Sequence, residues 1–201
     1  MLYANQKEGA GRYMAYVLLV RSGTWVSRGI HAITGDTYTH AAISLDGPEG
    51  PFRSFGRRYR WCCLPGGFVR ESTGIYRPGT PCALYGVPLS RGAYLHLRWI
   101  LSYMDAHQRE YGYDLLGLFA CGTPIRAPRR NGRFFCSHFV SWMLEQTGEA
   151  GLPKPPERMH PVDLQSVMGA NLVYRGRADG LPGYRREIRR TGPMSAVPAE
   201  K

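Results

Sequence analysis

The chain has 201 residues, of which 43% are hydrophobic, enough for one domain with a buried core and too few for a second of ordinary size. Its net charge of +11 favours anionic partners such as phospholipid, nucleic acid or cell-wall polymer without choosing among them. Five cysteines at irregular spacing argue against a disulfide framework, and with no CxxC pair or HExxH helix neither a metal nor a cofactor is expected.

Residues 1–12 are polar and Gly-containing and residues 189–201 lack periodicity, so both ends are expected to be flexible around a single domain spanning 13–188. Met14 to Val20, the longest apolar segment, has the length of a strand and not of a membrane span, and no leader pattern precedes it, so a cytoplasmic protein without a transmembrane segment is expected. Between Thr24 and Ile33 the apolar residues Trp25, Val26, Ile30 and Ile33 recur at helical spacing, with Ser22 before them and Gly35-Asp36 after, which predicts a short helix.

Thr39 to Leu45 alternates: Ala41, Ile43 and Leu45 share one face of a strand, and His40, Ala42 and Ser44 share the other. Gly47 to Pro51 is a turn, and Phe52 to Arg57 returns as the second arm of a hairpin. Further strands are expected near Gly67–Glu71 and Cys82–Leu89, making a small, largely antiparallel sheet. Ser90 to His107, with Tyr94, Leu97, Leu101 and Met104 on one stripe behind a serine cap, is a helix; Tyr113 to Ala120 is a second and Phe135 to Gln146 a third, closed by Gly148. A short helix from Pro161 to Met168 and a strand over Asn171 to Arg175 complete an α+β pattern.

Chemistry concentrates at Cys136. It shares a helical face with Phe139, Val140, Met143 and Leu144, so its thiol points at the protein body from the first turn. At a helix N-terminus, unpaired N–H groups and the positive dipole end stabilise a thiolate and can receive an oxyanion. Cys62 and Cys63 lie in a Trp-flanked loop, Cys82 opens a strand and Cys121 ends an apolar segment, so none of these combines a helix start with an inward face.

A cysteine nucleophile needs a base, and imidazole suits the task. His138 projects away from Cys136 on the same helix, His96 and His107 fall off their own apolar stripe, and His31 and His160 stand near element ends. His40 has small neighbours on a strand face that a packed helix could cover. A third polar group commonly orients such a base. Ser54, on the returning strand, is the natural position, with Glu71 and Asp46 as the other candidates.

The order of Thr-His-Ala-Ala-Ile-Ser-Leu-Asp46 before the hairpin and Phe-Phe-Cys-Ser-His-Phe-Val140 at a late helix resembles the circularly permuted branch of the NlpC-type papain-fold hydrolases, whose relatives include lecithin:retinol acyltransferase-like proteins. The likeness extends through Arg53-Ser-Phe-Gly-Arg57, Gly67-Phe-Val-Arg-Glu71, Cys82-Ala-Leu-Tyr85 and Tyr113-Asp-Leu-Leu-Gly-Leu118. It implies a permuted papain-like fold, an acyl-accepting Cys136, His40 as its base and Ser54 in the third polar position, where the family usually carries histidine or an acid.

Three functions follow as expectations. The first is hydrolysis of amide, ester or thioester bonds in a peptide-like or lipid substrate through an acyl-enzyme, and the second is acyl transfer by the same pair to an amine or alcohol. The third is a non-catalytic basic module that binds nucleic acid or anionic membrane. The arginines scatter through Arg53–Arg60, Arg126–Arg133 and Arg185–Arg190 with no nucleic-acid motif, so no specific nucleic-acid partner is expected.

Overall fold

Met14 to Val20 forms strand β1, and its branched residues are buried because strands pair with it on both sides. The computed structural model describes residues 13–21, 37–57, 66–123 and 130–185. The helix expected over Thr24–Ile33 with Ser22, as well as His31, Cys62 and Cys63, lies outside the described residues, as do both chain ends.

On one side β1 pairs antiparallel with β2 (His40–Ser44), Leu18 facing Ala42; on the other it pairs with β5 (Pro81–Pro88), Leu18 facing Leu84. The hairpin turn carries Gly47 and Gly50 at positive φ, a conformation that favours glycine, and leads into β3 (Phe52–Arg57). β4 (Gly66–Glu71) continues the sheet beyond β3. Two two-residue strands, β6 (Gly112–Tyr113) and β7 (Arg133–Phe134), extend this edge, and β8 (Leu172–Arg177) closes the other, for an order of β7-β6-β4-β3-β2-β1-β5-β8. All neighbours run antiparallel except β6 and β7.

Four α-helices accompany the sheet among the described residues: α1 (Arg91–Ala106), α2 (Leu115–Cys121), α3 (Cys136–Glu145) and α4 (Pro161–Val167). The Ser90 side chain caps α1 by accepting from the Ala93 N–H at 3.1 Å. α2 starts later than the apolar run suggests. Gly112 and Tyr113 are drawn into the sheet, and Asp114 caps the helix by accepting from the Gly117 N–H at 2.9 Å. The architecture is α+β with a mostly antiparallel sheet, larger than the sequence pattern implies because strands of two residues carry no alternation to detect.

Two apolar layers lie on opposite faces of the sheet. Ala41, Ile43, Leu45 and Phe55 pack with Leu97, Leu101 and Met104 of α1 and with Phe139, Val140, Met143 and Leu144 of α3. Ala42 and Phe52 pack on the other face with Leu18, Val20, Leu84, Tyr76, Ala178 and Leu181. The helix bearing Cys136 thus covers the face of β2 that His40 does not share, opposite to the expectation drawn from the small neighbours of His40. Those neighbours are small because a second layer covers them.

Candidate functional site

His40 and Cys136 meet in spite of this, at element ends. His40 is the first residue of β2 and Cys136 the first of α3, and the thiol is near enough to the ring to help hold its proton. Both side chains are nearly enclosed, the cysteine 5% and the His40 side chain 13% exposed. Phe135, at the N-cap, is extended and has no oxygen to offer, so no side chain caps the first turn of α3. No Ser or Asp cap therefore competes with the sulfur for the positive end of the helix dipole.

The other side of the ring is held by a carboxylate. Glu71 Oε2 sits 2.9 Å from His40 Nε2, and the same oxygen accepts from the Tyr76 hydroxyl at 2.8 Å. With Nε2 turned to Glu71, Nδ1 is the ring nitrogen left to exchange a proton with sulfur. Burial acts most strongly on His40 and by itself would lower its pKa. The Glu71 charge and the hydrogen bonds to Cys136 and Glu71 together outweigh it, raising the ring well above its ordinary value. The balance favours the imidazolium form of His40, paired with a 5% exposed Glu71.

Ser54, by contrast, is fully buried and its hydroxyl donates to the Ala41 carbonyl at 2.8 Å. The register explains this. Ile43 pairs with Arg53, which places Ser54 beside Ala42, one step beyond the histidine. Gly56 occupies the place beside the ring, where a Cβ would stand in ordinary van der Waals contact, 3.4 Å from Glu71 Oε1 and 4.0 Å from His40 Cε1. Asp46 is likewise elsewhere, bound by Arg53 and, at 3.1 Å, by Arg98.

Two tyrosines complete the surroundings. Burial first, then the Glu71 charge, raises the Tyr76 hydroxyl well above the usual tyrosine value, so it stays protonated and donates to Glu71. Tyr113 is likewise raised well above that value, by burial first and then by its proximity to Cys136, which makes it a neutral donor near the sulfur. Neither residue carries a periodic or motif signal that marks it; only folding brings them to the histidine and cysteine.

Other described histidines have contacts of their own. The His138 ring packs against Phe134 and Phe135 at centroid distances of 4.7 and 5.3 Å, and His160 forms the N-cap of α4. Of the described cysteines, all reduced, Cys82 and Cys121 have thiols pushed up to about 12, chiefly by burial, and are neutral at physiological pH. Among the described residues no group of three His, Cys, Asp or Glu side chains is disposed to hold a metal ion, and no helix is long and apolar enough to cross a membrane.

A cysteine at an uncapped helix start, a histidine beside it and a buried carboxylate behind the ring have the parts for nucleophilic acyl chemistry. No family model, curated protein or solved structure matches the chain.

Proposed function

We propose that the chain is a cysteine-dependent hydrolase of amide, ester or thioester acyl bonds, built on a permuted NlpC-type papain-like fold, with Cys136 as nucleophile and His40 as its acid and base. The observation that carries this is the His40 ring held between the Cys136 thiol and the Glu71 carboxylate. We assign the orienting role to Glu71 rather than Ser54, because a carboxylate stabilises an imidazolium and a serine hydroxyl turned to a carbonyl does not.

In this scheme the Cys136 sulfur, its proton held on His40, attacks the acyl carbon and forms a tetrahedral oxyanion, which the first-turn N–H groups of α3 receive. Collapse breaks the bond to the leaving amine, alcohol or thiol as His40 returns the proton to it, leaving a thioester on Cys136. Water then attacks that thioester, His40 takes a water proton, and the carboxylic acid departs as the sulfur is released. An amine or alcohol in place of water would give acyl transfer.

The test is incubation of the full chain with a panel of chromogenic acyl esters, thioesters and amides, followed by mass spectrometry of trapped acyl-enzyme. Turnover with an acyl adduct on Cys136 is expected. An adduct on Cys62, Cys63, Cys82 or Cys121 with Cys136 unmodified, or no turnover across the panel, would overturn the assignment.

A further inference from the structure

Helix α1 is apolar on two sides. Its inner face buries Ala93, Leu97, Ile100, Leu101 and Met104 against the sheet, as an amphipathic helix should. Its outer face nevertheless exposes Leu95 at 51%, Trp99 at 65% and Tyr103 at 46%, three large side chains at i, i+4 and i+8 that form one stripe. Such a stripe on a soluble helix marks a surface meant to be covered.

We propose that this face of α1 docks on an anionic phospholipid bilayer, lying in the interface plane. Charge argues for that occupant. Exposed Arg91 stands at one end of the helix and exposed Arg109 just past the other, followed by exposed Glu110. The helix's one carboxylate, Asp105, is turned inward and bound by Arg53 and Arg70 at 3.1 and 2.9 Å. The stripe therefore presents leucine, tryptophan and tyrosine between arginines, the composition of an interfacial helix. A second copy is disfavoured because each chain carries +11.

The aromatic rings line up along the helix, His96 and Trp99 at 6.4 Å and 13°, Trp99 and Tyr103 at 6.0 Å and 24°, and Tyr103 and His107 at 4.2 Å and 24°. Leu95 stands in the same stripe, and its aliphatic carbons offer a base no stacking face but bury well at the headgroup boundary beside tryptophan and tyrosine.

The experiment is co-sedimentation of the full chain with vesicles of phosphatidylcholine alone or mixed with phosphatidylserine, across salt concentration. Binding to the anionic vesicles that weakens with salt is expected, as is a loss of at least about tenfold in affinity for the Trp99→Ser, Tyr103→Ser double variant, whose changes are on the surface and leave the circular dichroism spectrum intact. Cys136→Ser should bind like the native chain, so this docking stands or falls separately from catalysis. It is overturned if the double variant binds vesicles as well as the native chain. It is equally overturned if the stripe substitutions instead abolish oligonucleotide binding, or a dimer seen by light scattering, while vesicles are ignored.

Discussion

Replacing Glu71 separates the ion pair from everything else at the candidate site. The 2.9 Å contact between His40 and Glu71 is a charge-assisted hydrogen bond between side chains 13% and 5% exposed, so solvent screens it little. Such bonds contribute about 1.5–3 kcal/mol, which converts to roughly ten- to two-hundredfold in rate if the imidazolium must be held through the reaction. Glu71→Gln keeps an oxygen acceptor but no charge, and kcat/KM for an acyl thioester should fall about tenfold; Glu71→Ala removes the bond and should cost about a hundredfold. The titration of His40, followed by NMR at its ring carbons, should move down in both variants, because burial is then opposed by the hydrogen bond to Cys136 without Glu71. The native ring pKa lies above the unfolded value of about 6.5, so the stabilisation is complete below that pH and is lost as pH rises through the native value. The melting temperature of the native chain should therefore exceed that of Glu71→Gln most near pH 6 and converge on it at alkaline pH. Unchanged kcat/KM and an unchanged His40 titration in folded Glu71→Ala would refute the carboxylate's role.

Four further substitutions test neighbouring contacts. Cys136→Ser should abolish turnover and the acyl adduct while leaving the melting curve nearly unchanged, since sulfur and oxygen differ far more in nucleophilicity than in size. Tyr76→Phe removes the 2.8 Å bond to Glu71 and should lower kcat/KM by about tenfold with KM little altered, checked by steady-state kinetics. Ser54→Ala removes the bond to the Ala41 carbonyl, costing about 1 kcal/mol by urea denaturation, with kcat/KM of the folded protein changed less than by Tyr76→Phe. Arg53→Met, which leaves Asp46 to Arg98 and Asp105 to Arg70, should destabilise by about 1.5–3 kcal/mol by urea denaturation, while the folded protein keeps the native His40 titration.

The strand and helix patterns were legible because their burial repeats along the chain. β1 and α1 each carry enough consecutive residues for period 2 or 3.6 to show, and the apolar stripe behind Cys136 is the one that packs α3. The two-residue strands β6 and β7 carry no such repeat, and Tyr113 reads in the sequence as the start of a helix. Residues on one strand face can be assigned by counting, but which residue of the next strand lies beside them depends on the turn. The turn over residues 47–51 brings Arg53 opposite Ile43, and that single register places Gly56, not Ser54, beside His40. Glu71 then reaches the ring from β4, two strands away, a relation no local pattern encodes. Cys136 poses the complementary problem. Its helix lies on the face of β2 opposite His40, and alternation alone would separate the two, yet both stand at the first position of their elements, where a side chain can pass the end of the sheet. Proximity at element ends is therefore decided by where elements begin, and here by the extended Phe135 that starts α3 at the cysteine.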